Sequence, residues 1–415
     1  MESPTIVPDS CRGFEFIGHS SLDGRGHSDQ VMVTRGYAYV GHSKTRGVSV
    51  VDVRDPRRPA LAGLLPHHAN SWALHLQTHD QLLLVAEAFD FRSAMTDAEY
   101  YLRSVGGMDS QRFGQRGRDY SAGIRVYDTT DPAHPRAIGF METEGLGIHR
   151  IWWTGGRYAY ASALLDGYTD YILVVVDLAD PTQPVIVGRW WLPGMWGAGG
   201  EVATHSPGRV GLHHAVIEGD VAYGCWRDGG VTLIDVKDKT APQLIAHRRW
   251  SPPFDGGTHS ALPLIERGLL IVADEAVRNA GLEQQKPIWV FDIRQPSNPV
   301  SIATFPVPCD LNYPARGGHF GPHNLHENRP GSFQSSSTVF ATYQNAGLRV
   351  FDISDPFRPR ETGWFVPPMP SRWMEPLRGR ARALHSADVF VDRDGLAYLT
   401  DYDAGLYIVQ WTGGV

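Results

Sequence analysis

The chain has 415 residues, with 38 Lys and Arg against 45 Asp and Glu and a formal net charge of −7. Hydrophobic residues at 42% and charged residues at 20% support a packed core and exclude wholesale disorder. The acidic balance argues against nucleic acid as the main partner.

The first ten residues carry neither the basic segment nor the apolar segment of a signal peptide. The longest apolar run, Tyr171 to Val176, is far short of the ~20 residues that cross a bilayer. Cys11, Cys225 and Cys309 are scattered and odd in number, which fits neither a disulfide framework nor a thiolate zinc site. A soluble, reduced, cytoplasmic protein without membrane contact is expected; its oligomeric state is not legible.

In chain order, Gly13-Phe-Glu-Phe-Ile-Gly18 reads as an isolated strand. Next come a strand at Tyr37-Ala-Tyr-Val40, then Gly47-Val-Ser-Val-Val-Asp52 followed by Asp55-Pro56. That phrase returns at Gly123 to Asp128, Ile172 to Asp177, Gly230 to Asp235, Pro287 to Asp292 and Gly347 to Asp352, with a last copy at Gly405 to Gln410. A Tyr-containing strand precedes many copies, as at Tyr158-Ala-Tyr-Ala161 and Leu396-Ala-Tyr-Leu399, and another strand follows the Pro turn, as at Pro135 to Gly139. Period-two alternation and aromatic enrichment mark these as half-buried strands. With one more strand upstream, each copy has four, and the 45 Gly and 29 Pro supply the turns.

Seven copies of four short antiparallel strands predict an all-β fold, a single seven-bladed β-propeller over residues 1–415. The last copy lacks its fourth strand, and Gly13 to Gly18 is expected to supply it and close the ring. The Val-Val-Asp-x-x-Asp-Pro-x-x-Pro phrase resembles the LVIVD-repeat family of β-propellers, and the resemblance covers nearly the whole chain. It implies the fold and leaves the chemistry open.

The 18 His are not scattered at random. Six follow a small residue by two positions near the start of a first strand: Ala73-Leu-His75, Gly147-Ile-His149, Gly211-Leu-His213, Gly257-Thr-His259, Gly321-Pro-His323 and Ala383-Leu-His385. Arg25-Gly-His27 is a looser seventh. Equivalent positions on repeated blades lie on a ring about the axis, and a ring of imidazoles suits a divalent metal ion: iron, manganese, copper or zinc. His149, His213, His259, His323 and His385 are the candidate ligands. His27 and His75 are candidate substrate contacts, with Arg150, Trp226 and Tyr343. Glu87 and Glu275, at second-strand ends, are candidate acid/base groups. The competing reading is packing, since a histidine near this place also serves as an internal hydrogen-bonding device in WD-type propellers.

Insertions near residues 89–121, 193–210, 307–318 and 367–382 should gather as a lid over the histidine face. The first is predicted to hold a short helix, Thr96 to Arg103, with Thr96 as N-cap. The lid is rich in Tyr100, Tyr101, Trp196, Tyr313, Arg316, Trp373 and Arg378, which suits a small organic substrate. Residues 324–337 form the one insertion expected on the opposite face. Walker, Rossmann, HExxH and Gly-x-Ser-x-Gly motifs are absent in the required context. The expected function is a metal-dependent enzyme acting on a small molecule, with oxygenase or oxidoreductase chemistry ahead of a lyase or hydrolase. The alternative is a non-catalytic propeller that binds protein or ligand.

Overall fold

In a computed structural model, residues 6–43, 47–102, 119–203, 208–374 and 379–413 are described. The repeats fold as antiparallel sheets, and the all-β expectation holds. The first copy gives Ser28–Thr34, Tyr37–His42, Val48–Asp52 and Ala60–Leu65, paired in that order. The third gives Gly147–Trp152, Tyr158–Leu164, Ile172–Asp177 and Val185–Trp190. Alternating apolar residues such as Val174 and Val176 are fully buried between neighbouring sheets.

The recurring Asp phrase has a local cause. Asp177 Oδ1 accepts from the Ala179 amide (2.8 Å), and Asp180 Oδ1 accepts from the Thr182 amide (2.9 Å). Asp352 and Asp355 repeat this with Ser354 and Phe357. Two successive aspartate turns thus lead the third strand into the fourth in the first, second, third, fourth and sixth repeats, while the fifth has Gln295 at the second position.

The N-terminal segment pairs with two sheets. Ser10–Arg12 lies along Arg360–Val366, and Phe14–Ser20 lies along Gly405–Trp411. Gly13 between them has φ +70°, and a Cβ there would meet the Trp411 ring at 2.8 Å. The strand expected at Gly13 to Gly18 therefore does complete the last sheet.

Side-chain hydroxyls tie four of the repeats to the one that follows. Ser162 Oγ donates to the His213 carbonyl (3.0 Å), Ser260 Oγ to that of His323 (3.2 Å) and Thr342 Oγ1 to that of Ala387 (3.0 Å). Thr400 Oγ1 donates to the Asp29 carbonyl (2.6 Å), which joins the last repeat to the first.

The sixth repeat departs from the four-strand expectation. No strand forms at its histidine, where only an isolated bridge, Leu325 to Ala341, marks the inner position. Pro322 has no amide hydrogen to give a ladder, and the chain leaves immediately for the 327–332 turn. In the first insertion the helix is Asp97–Leu102, preceded by a turn of helix at Phe91–Ala94. Thr96 caps it as expected: its Oγ1 accepts from the Glu99 amide (3.3 Å) while the Glu99 carboxylate accepts from the Thr96 amide (2.9 Å). Residues 103–118 of that insertion, and Arg378, lie outside the described residues.

His326 offers a pH test of the packing between the last two sheets. Its Nε2 donates to the Phe333 carbonyl (2.9 Å) and its Nδ1 accepts from the Val391 amide (3.2 Å), so the ring is neutral. Burial pushes its pKa down to about 4. The unfolded chain protonates near pH 6.5, so this contribution is complete above that value and is lost as pH falls toward 4. The stability cost of His326→Leu, read by urea unfolding, should shrink by about 2 kcal/mol between pH 7 and pH 5. A cost independent of pH would contradict the assignment.

Candidate metal centre

Three inner strands carry a β-bulge at their histidine. The register skips His149 between Ile148 and Arg150, skips His259 between Thr258 and Ser260, and slips between Val210 and His214 around His213. A bulged residue is released from the ladder and its side chain re-aimed. The preceding glycine makes room: Gly147 has φ +108°, and a Cβ there would meet the Glu87 carbonyl at 2.5 Å. At Gly147 and Gly257 the Gly-x-His spacing is therefore a local device of close backbone approach followed by a bulge.

The released imidazoles converge. His75, His149 and His213 are buried, and one ligand atom from each lies within 4.8 Å of the others. An inward shift of at most about 0.8 Å per ring would bring three such atoms onto one ion at about 2.0–2.1 Å. A second group, His259, Glu275 and His323, meets the same spacing. The groups adjoin where the His213 and His259 rings stack with centroids 3.5 Å apart.

Hydrogen bonds fix the tautomers. His213 Nδ1 donates to the His259 carbonyl (2.8 Å), and His259 Nδ1 donates to Ser260 Oγ (2.8 Å). His323 Nδ1 donates to the Ala387 carbonyl (2.5 Å). Each of these rings keeps its Nε2 lone pair, the usual preparation of a metal-binding histidine. Neither nitrogen of His149, nor Nδ1 of His75, has a hydrogen-bond partner despite full burial. Burial, reinforced by nearby Arg150 and, for all but His75, by Arg227, holds His75, His149, His213 and His259 well below the usual imidazole pKa, so all four are neutral at pH 7.

The other sequence candidates divide. His75, read as a substrate contact, sits among the imidazoles of the first group. His385, read as a ligand, stacks on Tyr402 (4.1 Å) and lies 5.8 Å from His323, outside both groups. His27 packs on Tyr402 (5.9 Å). Arg150 is committed to Asn324 (2.7 Å) and Glu327 (3.2 Å). Trp226 donates to Thr232 inside its own sheet, and Tyr343 packs on Phe320. Glu87 pairs with Arg125 and Ser121 rather than with an imidazole of the ring. Glu275, in contrast, is at the centre. Burial works to raise its pKa, but Arg227 and the neighbouring imidazoles outweigh this and hold it below the usual carboxylate value.

Two tyrosines of the first insertion lie close to the buried histidines or their neighbours. Tyr100 packs edge-on to Trp72 (5.7 Å), which in turn lies 5.8 Å from His149. Tyr101 lies under the Arg227 guanidinium (5.7 Å). Trp196, however, stays 42% exposed, and Tyr313 is turned to Asp310 and Arg349. Arg329 from the 324–337 insertion is buried, donates to the Trp153 carbonyl (2.8 Å) and pairs with Gln77 and Glu327. Burial lowers its pKa to about 10.

The mouth near His27, His319, Trp373, Arg380, His385 and Tyr402 holds a cavity of only about 20 Å³. A cleft of about 420 Å³ lies to the side, lined among others by Tyr101, Arg227, Phe254, Arg278 and Lys286. It shares Arg227 with Glu275. Sequence reasoning missed Arg227 and also His319, although Gly317-Gly-His319 has the same spacing as the recognised series.

No helix among the described residues is long and apolar enough to cross a membrane. No curated protein matches the chain. Solved structures do match in fold. A hypothetical selenium-binding protein from Sulfolobus tokodaii aligns with TM-score 0.56 at 12% identity over 91% of each chain. The β-propeller domain of Cps50 (Swd1) from Myceliophteria thermophila gives TM-score 0.55 at 13% identity, covering 94% of this chain and 98% of that one. A putative 6-phosphogluconolactonase from Bacteroides uniformis gives 0.52 at 11% identity, over 80% and 83%. At these identities the likeness speaks for the fold alone. A family model for the LVIVD repeat matches residues 25–65, 153–190 and 339–365. The chain carries LVIVD repeats at these three segments and has a β-propeller fold.

Proposed function

We propose that this protein is a closed, seven-bladed propeller that binds a metal ion at its axis through His75, His149 and His213. The observation that carries the reading is a buried trio of neutral imidazoles whose nitrogens lack hydrogen-bond partners at His149 and at His75 Nδ1. Desolvating such groups without a partner costs about 1–3 kcal/mol each, a cost that an ion would offset. An all-imidazole set suits copper or zinc ahead of iron or manganese. The Thr400 to Asp29 bond and the pairing of Phe14–Ser20 with Gly405–Trp411 support ring closure.

Binding, of the ion and of a small ligand beside it, is the function claimed first. Metal-dependent turnover of a small organic substrate, oxidation ahead of lyase or hydrolase chemistry, is the second reading. The 420 Å³ cleft at Arg227 favours it, because its size suits a small molecule. Metal analysis of untagged protein loaded with Cu²⁺ or Zn²⁺ and then desalted tests the proposal. The wild type should retain metal stoichiometrically, and His213→Ala should retain less. Substoichiometric metal in the wild type, with unchanged content in the variant, would overturn it.

A further inference from the structure

The second group differs from the first in one donor, and its spacing is informative. Glu275 Oε2 lies 3.6 Å from His259 Nε2, and Glu275 Oε1 lies 3.6 Å from His323 Nε2. That is too long for a hydrogen bond. Ligand atoms sharing one tetrahedral ion at about 2.0–2.1 Å stand about 3.3–3.4 Å apart. Each imidazole thus faces one carboxylate oxygen at near co-ligand spacing, and one ligand atom from each of the three residues lies within 4.8 Å of the others.

The rest of the surroundings agrees. His259 and His323 both turn Nδ1 away, to Ser260 Oγ and to the Ala387 carbonyl, which leaves each Nε2 as a base facing Glu275. Arg227 occupies Oε2 of the carboxylate, while Oε1 is buried without a hydrogen-bond partner. The guanidinium both fixes the carboxylate and leaves one oxygen free, as an outer partner of a ligating carboxylate does.

We propose that His259, Glu275 and His323 form a second cation site, distinct from the three-imidazole site and with a harder donor set. It rests on the reading that the axis binds metal. Two imidazoles and one carboxylate suit divalent iron, manganese or zinc, whereas the neighbouring trio offers nitrogen alone. The stacked His213 and His259 rings form the wall between the two sites. Arg227 also lines the lateral cleft, so a ligand there would sit beside the carboxylate-bearing ion.

The test is titration of metal-free, untagged protein with Co²⁺, followed by its visible absorption and by equilibrium dialysis. The wild type should take two equivalents. Glu275→Gln and His149→Leu should each take one, with different spectra, because they spare different donor sets. Two equivalents in Glu275→Gln, or a single equivalent in the wild type that His149→Leu abolishes and Glu275→Gln does not, would overturn the second site while leaving the first. A single wild-type equivalent lost in Glu275→Gln and kept in His149→Leu would support the carboxylate site and remove the imidazole site. The wild-type stoichiometry does not depend on either variant folding.

Discussion

Asp170→Ala is expected to cost about 3–5 kcal/mol of folding stability, the range for stranding one member of a buried ion pair. Asp170 and Arg209 are both fully buried and form a two-pronged pair, Nε to Oδ2 at 2.9 Å and Nη2 to Oδ1 at 3.1 Å. Arg209 Nη1 also donates to the Tyr100 carbonyl (2.7 Å), and its guanidinium lies over the Tyr100 ring. The pair therefore ties the Asp97–Leu102 helix to the neighbouring sheets. Removing the carboxylate leaves an uncompensated guanidinium in a dry interior. Urea unfolding of metal-free protein measures the cost. The double variant Asp170→Ala/Arg209→Met should recover much of it, since no charge is then stranded. A cost below about 1 kcal/mol for the single variant would mean that water reaches the pair.

The second large effect concerns His149 and has a sign that separates metal binding from packing. Its two ring nitrogens are buried without partners. In metal-free protein, His149→Leu replaces a costly polar group with an apolar one and should leave stability unchanged or raise it by about 1–2 kcal/mol. In the presence of metal the wild type should gain about 4 kcal/mol at 1,000 times the Kd, and the variant should lose the share contributed by the imidazole site. A packing histidine predicts the reverse pattern: a loss in metal-free protein and an undiminished response to metal. Thermal unfolding with and without Cu²⁺, for both proteins, distinguishes the two.

Much of this was legible in the sequence because it is local. The Asp-x-x-Asp-Pro phrase encodes aspartate turns within six residues, so its recurrence announced the sheets. At Gly147 and Gly257 the Gly-x-His spacing combines a positive-φ glycine with a bulge at the histidine, so part of the convergence was written locally. Partnerships made across repeats were not legible. His75 falls within the three-imidazole group, whereas His385 lies outside both groups, stacked on Tyr402. Glu275 and Glu87 end equivalent second strands, yet Arg125 withdraws Glu87 while Arg227 holds Glu275 against two imidazoles. Arg125 stands on the strand beside Glu87, whereas Arg227 comes from the preceding repeat. The loss of the inner strand at His323 likewise follows from Pro322 and from an insertion that turns away to bring Arg329 under Trp152.

Anomalous scattering from crystals loaded with Cu²⁺ or Zn²⁺ tests the axial site most directly. The expected result is a peak at bonding distance, about 2.0–2.2 Å, from ring nitrogens of His75, His149 and His213. Crystals saturated with metal that show no axial peak, or peaks only at exposed groups such as His68 and His134, would contradict it.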